Sequence, residues 1–208
     1  KTTFIKLLCR LYDPTEGEVL LNGIDIRKYR YQDYIAIFSV VFQDFQLLAL
    51  PLGENVAGAA AYDRDRAARC LADAGFEVRL DAMPKGLDTS LYKELDKEGV
   101  NVSGGEAQKI AIARALYKDA PFIVLDEPTA ALDPIAEAEI YARFDAIAGD
   151  KTAIYISHRL SSCKFCDEIA VFDQGAIVQT GSHDALVADE TGLYHKLWHA
   201  QAQYYTND

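Results

Sequence analysis

Residues 122–128 read FIVLDEP. Four consecutive apolar residues, two of them β-branched, suit a strand buried on both faces, as the strands of parallel sheets are. The run ends on adjacent carboxylates, Asp126 and Glu127, and Pro128 closes it. In open α/β sheets ligands bind at the C-terminal ends of the strands. A carboxylate there can hold a Mg²⁺ ion while its neighbour faces an attacking water, because successive strand residues point to opposite sides. A solvated strand end with a turn at Pro128 accounts for the same residues, so the motif by itself leaves both readings open.

Outward from this strand, β-rich runs recur at IAIFSVVFQ (35–43), TAIYIS (152–157), EIAVFD (168–173) and AIVQTG (176–181). Helical patterns lie between them at 134–148 and around 159–165, and two more close the chain at 182–188 and 192–204. Residues 1–12 carry an apolar helical face of Phe4, Ile5, Leu7, Leu8 and Leu11, followed by a turn at 13–17 and a short strand at 18–23. Residues 53–117 are helical in pattern and hold no strong strand. Strands alternating with helices predict an α/β fold with a mostly parallel sheet covered on both faces. The helical middle reads as an insert, which divides the chain into a core of 1–52 and 118–208 and a helical subdomain of 53–117.

Composition narrows the function classes. The 208 residues are half hydrophobic and one quarter charged, with a net charge of −11. No apolar run approaches the roughly 20 residues of a membrane span. A nucleic-acid binder draws on a basic stripe for phosphate contacts, and none is present, so no nucleic-acid partner is expected. A local anion site made of one lysine and backbone amides does not depend on net charge. The four cysteines are Cys9, Cys70, Cys163 and Cys166, and the last two form a C-x-x-C. Without a second pair at finger-like spacing, this reads as packing around Phe165 or as a metal or redox pair.

Four further stretches bear on chemistry. In NVSGGEAQKIAIARAL (101–116), Ser103 is a candidate N-cap and Glu106 completes a capping box, with two glycines that let an anion approach the helix N-terminus. A plain capped helix fits the same residues. Gln43 ends VVFQ and His158 follows TAIYIS, each at a strand end where it reaches a ligand or simply terminates a strand. Finally, KTTFIKLL (1–8) matches a phosphate-binding loop from its lysine onward, where Lys meets phosphates and the next hydroxyl ligates Mg²⁺, but no glycines precede it.

Taken together, these motifs resemble the nucleotide-binding domain of ATP-binding cassette (ABC) proteins, and their order matches along almost the whole chain. Lys1-Thr2-Thr3 resembles the end of a Walker A loop, Gln43 the Q-loop, VSGGE (102–106) the signature loop, FIVLDEP Walker B, AALD (130–133) the D-loop and His158 the switch histidine. The resemblance implies a RecA-like P-loop ATPase core with a helical signature subdomain, and places the Walker A glycines and N-terminal β strands upstream of Lys1. A piece lacking that cradle is expected to bind ATP poorly. VFQDFQLL and the stretch 181–201 resemble the exporter branch, in which a transmembrane permease domain precedes the cassette in one polypeptide at the cytoplasmic face of the membrane.

By that resemblance, Lys1 and Thr3 bind ATP phosphates. Thr2, Gln43 and Asp126 hold Mg²⁺, Glu127 polarises the attacking water and His158 contacts the γ-phosphate. Ser103, Gly104 and Gly105 act on ATP held by a second cassette, identical or not, and Asp133 communicates across the interface. Val102 and Glu106 stand where Leu and Gln are commoner, and LYKELDKEG (91–99) is longer than the usual exporter pattern. Two other readings are a soluble ABC-type ATPase acting on DNA or ribosomes and a non-catalytic regulatory cassette. The acidic charge and exporter-like tail weigh against the first, and intact Glu127 and His158 against the second.

Overall fold

The computed structural model describes residues 1–129, 140, 142 and 148–205. It divides into two compact units, one of Thr2–Tyr155 and one of Lys1 with the residues from Ile156 onward. The AALD stretch, with Asp133, lies outside the described residues, as does most of the helical pattern at 134–148.

In the larger unit, α1 (Thr2–Leu8) is shorter than the apolar pattern suggests. It ends where Arg10 turns to a positive φ of 53° and Leu11 N–H donates back to Lys6 O. The strand expected at 18–23 is instead a small antiparallel hairpin of β1 (Leu20–Leu21) and β2 (Ile24–Asp25). Asn22 and Gly23 both take positive φ in its turn, 52° and 75°. Such a two-residue turn needs a left-handed backbone at both positions, which Asn-Gly supplies. Next, α2 (Tyr31–Ala36) claims Ile35 and Ala36, which the β pattern gives to a strand. Asp33 sits in its first turn and Tyr34 is buried, its hydroxyl donating to Leu8 O. Docking on α1 therefore outweighs local β preference.

The sheet starts at β3 (Phe38–Val41), which pairs in parallel with β4 (Phe122–Asp126), in the register Phe38↔Phe122 to Val41↔Leu125. On the other side of β4 lies β5 (Thr152–Ile156), giving the order β3-β4-β5. The central position of β4 explains its continuous apolar run, with Ile123, Val124 and Leu125 all buried. Between β3 and β4 come α3 (Leu52–Ala57), α4 (Arg64–Asp73), α5 (Glu77–Asp81) and α6 (Gly104–Lys118). Leu52, Val56, Leu71, Phe76 and Ile110 fill one core with Ile123 and Leu125. Two isolated β-bridges, Pro51↔Ser90 and Leu91↔Val100, tie down the stretch between α5 and α6, which pattern alone leaves without strand pairing.

In the smaller unit, β6 (Ile169–Asp173) and β7 (Ala176–Gly181) form an antiparallel pair of their own. Gln174 and Gly175, both at positive φ, make the turn. A two-residue connection can join only antiparallel strands, so these two depart from the parallel pattern. Behind them, α7 (His183–Ala188) is capped by Ser182, and α8 (Leu193–Tyr205) closes the unit. Cys163 and Cys166 pack against the core of Ile169, Val171, Leu186 and Tyr194. Burial raises both thiols, Cys166 to about 11, the opposite of what a thiolate ligand or nucleophile needs.

Candidate functional site

At the end of β4, Asp126 is only 1% exposed. Its Oδ2 accepts a hydrogen bond of 2.9 Å from Thr2 Oγ1 in the first turn of α1. Its Oδ1 is buried without a hydrogen-bond partner among the described residues. A buried carboxylate oxygen left this way is costly, because water is lost and nothing replaces it. A hard divalent cation would supply what it lacks, and a carboxylate with a hydroxyl beside it is an oxygen donor set suited to Mg²⁺. Among the described residues no group of three or more His, Cys, Asp or Glu gathers at one point. Mg²⁺ commonly keeps several waters and takes the rest of its shell from phosphate. The residues therefore fit that ion.

Glu127 follows, and its backbone leaves the strand. At φ 51° it lies in the left-handed region, so its side-chain direction is not set by strand alternation, as reading two adjacent strand carboxylates supposes. A non-glycine residue held there stores on the order of 1 kcal/mol or more and needs support from its surroundings. Part of that support is Gln108, buried on α6, whose Nε2 donates to Glu127 O at 3.0 Å.

At the start of α6, Ser103 Oγ accepts from Glu106 N–H at 3.2 Å and Glu106 Oε2 accepts from Ser103 N–H at 2.7 Å, closing the capping box. Ser103 Oγ thereby keeps its own proton to donate elsewhere. Gly104 and Gly105 occupy the first turn, where backbone N–H groups have no helical acceptor. Glu106 Oε1 also forms an ion pair of 2.7 Å with Arg79 Nε of α5. Gln43, two residues beyond β3 and exposed, lines a cavity of about 480 Å³ together with Phe45, Tyr92, Gly104 and Gln108. The fold thus brings Gln43 to the same cavity as the first turn of α6.

In the smaller unit, Lys1 Nζ donates to Ser157 O at 3.1 Å, the carbonyl just before His158. Gln201 of α8 brackets the histidine, its Nε2 donating to His158 O at 2.7 Å and its Oε1 accepting from Leu160 N–H at 2.9 Å. Ser157 Oγ accepts from Arg159 N–H and from Ser162 Oγ, which tightens the same turn. His158 and Thr3 are both exposed.

Three supporting residues were not legible as such. Gln108 left one trace, since it is a polar residue on the stripe 104-108-111-115 of α6, where the other members are small and apolar. Gln201 and Arg79 left none, because their partners lie 43 and 27 residues away in sequence.

The family model described as "ABC transporter" matches residues 1–130. The chain is 38% identical over 203 residues to an ATP-dependent lipid A-core flippase of Burkholderia pseudomallei, covering 98% of this chain and 33% of the relative. It is 40% identical over 206 residues to an ATM1-type heavy metal exporter of Novosphingobium aromaticivorans, covering 97% and 33%. Its fold is similar to a solved bacterial Atm1-family ABC exporter with ATP bound, at a TM-score of 0.88 and 36% identity, over 97% of this chain and 35% of that one. The chain therefore spans about a third of the length of the curated relatives it matches.

Proposed function

The chain belongs to the ABC transporter family as an ATP-binding domain, and from that premise we propose that it hydrolyses ATP to drive an exporter. Its partners in this reading are a second cassette, identical or not, and a transmembrane permease domain of the same protein, which holds the cassette at the cytoplasmic face. The observation that carries the reading is the hydrogen bond between Thr2 and Asp126, with one buried Asp126 oxygen left over for a cation.

The roles are those that the resemblance of each motif to the ABC cassette implies. Lys1 and Thr3 bind the phosphates of ATP. Thr2 and Asp126, with Gln43, hold Mg²⁺, which when bound neutralises phosphate charge. Glu127 polarises the water that attacks the γ-phosphate, and His158 contacts that phosphate. Ser103, Gly104 and Gly105 offer a hydroxyl and free backbone N–H groups to the ATP of the opposite cassette, where the α6 dipole also favours an anion. Asp133 communicates between the cassettes. Phosphoryl transfer to water asks little covalent work of the protein, so its work is mainly positioning and charge stabilisation. Closing and opening of the pair, biased by nucleotide, move the permease domain.

Glu127→Gln in the intact protein tests this directly. Phosphate release should be abolished while ATP-dependent pairing of the cassettes persists. Unchanged hydrolysis would sink the assignment.

A further inference from the structure

We propose that Arg79 is a positioning residue that neutralises Glu106, so that a signature turn carrying a carboxylate still accepts a triphosphate. The inference rests on the reading that Ser103–Gly105 receive the phosphates of the opposite cassette's ATP.

The N-terminus of α6 has two possible anionic occupants. Glu106, the third residue of the helix, already occupies it from within, with Oε2 on the Ser103 amide at 2.7 Å. That placement is favourable for the helix, since the positive end of the dipole attracts the carboxylate. It is unfavourable for a phosphate approaching Gly104 and Gly105, because the same carboxylate, held on the neighbouring Ser103 amide, repels it. Arg79 resolves the conflict. Its Nε lies 2.7 Å from Glu106 Oε1, the oxygen that the capping box does not use. Each oxygen of Glu106 then has its own partner, the cap is kept and the net charge at the turn falls from −1 to zero. The two side chains are 36% and 27% exposed, but the contacting Arg79 Nε is itself buried and makes no hydrogen bond among the described residues, so the pair acts by charge and not by a directed hydrogen bond.

Arg79 is carried by α5, a five-residue helix, and Glu106 by α6, so the pair joins two helices across 27 residues of sequence. Removing Arg79 exposes the phosphate to a full charge, which at partly screened separations of this kind weakens binding by roughly three- to tenfold.

The test is a double-mutant cycle in the intact protein, reading kcat and KM for ATP together with Tm. Arg79→Gln should raise KM for ATP by roughly three- to tenfold at low salt, with kcat changed by less than about twofold, and the effect should shrink as salt rises. In a Glu106→Gln background the same Arg79 substitution should move KM by less than about twofold, since no charge remains to neutralise. Arg79→Lys, which keeps the charge, should hold KM near the parent value. The inference is overturned if Arg79→Gln raises KM equally in both backgrounds, leaves it unmoved, fails to fold, or lowers kcat and Tm together. A parent protein that does not turn over ATP overturns the proposed function itself, a result separable from an active parent in which Arg79→Gln is silent.

Discussion

Thr2 Oγ1 and Asp126 Oδ2 meet at 2.9 Å across 124 residues of sequence, which joins the first turn of α1 to the C-terminal end of β4. Removing the hydroxyl leaves a buried carboxylate with neither oxygen partnered among the described residues. Thr2→Val should therefore cost about 1–3 kcal/mol of stability and, in the intact protein, lower Mg²⁺-dependent ATP hydrolysis by on the order of 100-fold. Thr2→Ser, which keeps the hydroxyl, should retain most of both. Phosphate release across a Mg²⁺ titration, with thermal melting alongside, separates the two variants. Equal rates for Val and Ser would contradict a role for this hydroxyl.

Gln108 donates to the carbonyl of Glu127, a residue at positive φ. Gln108→Leu removes the donor but keeps the bulk, and should cost about 1–3 kcal/mol because the carbonyl loses a buried partner. The catalytic signature should be a fall in kcat of roughly tenfold with KM for ATP within about twofold, as expected when only the attacking geometry is disturbed. Gln108→Glu offers an acceptor in place of the amide donor and should be no better. Steady-state kinetics of the three proteins decides it, and a rise in KM alone would point to ATP binding instead.

Gly99 lies in the long stretch before the signature turn, between the bridge residues Leu91 and Val100. A Cβ at this position would overlap the carbonyl oxygen of Tyr92, a backbone atom that cannot swing aside. Gly99→Ala should destabilise the protein by about 2 kcal/mol, which for a chain of this size lowers Tm by roughly 4–8 °C. Calorimetry showing an unchanged Tm would mean that the stretch 91–100 is not pinned as described.

Asp25 at the end of β2 is held by the Arg27 guanidinium, which contacts both carboxylate oxygens and lowers the Asp25 pKa to about 2. The group is more acidic folded than unfolded. Its contribution is present above the ordinary carboxylate pKa near 3.8 and is lost as pH falls toward about 2. Arg27→Gln should flatten the loss of stability between about pH 4 and pH 2 relative to the parent, by urea unfolding at each pH. An identical slope in both proteins would rule out this pair as a source of acid sensitivity.

How much of the fold was legible depended on whether its cause was local. FIVLD and AIVQTG coincide with β4 and β7 to the residue, because an uninterrupted apolar run or a run stopped by Gly marks its own ends. The capping box at Ser103 and Glu106 is likewise a local pattern, and it is present. The run IAIFSVVFQ was not legible in its first half, because Tyr34 is drawn into α2 by docking on Leu8, 26 residues back. Nor was the antiparallel pairing of β6 with β7 part of the expected sheet, although the two-residue turn at Gln174-Gly175 carried the signal.

The sequence by itself determined the order of the motifs, the α/β class, the buried strand that ends on Asp126 and the capped start of α6. Periodicity, composition and capping act over a few residues, so they can be read in place. Only the tertiary structure decided that Thr2 closes on Asp126, that Glu127 leaves the strand in a left-handed turn supported by Gln108, and that Arg79 answers the charge of Glu106. Each of these joins residues between 19 and 124 positions apart. Such contacts exist only once the elements that carry them have packed, and no local pattern encodes which polar group will be buried opposite which.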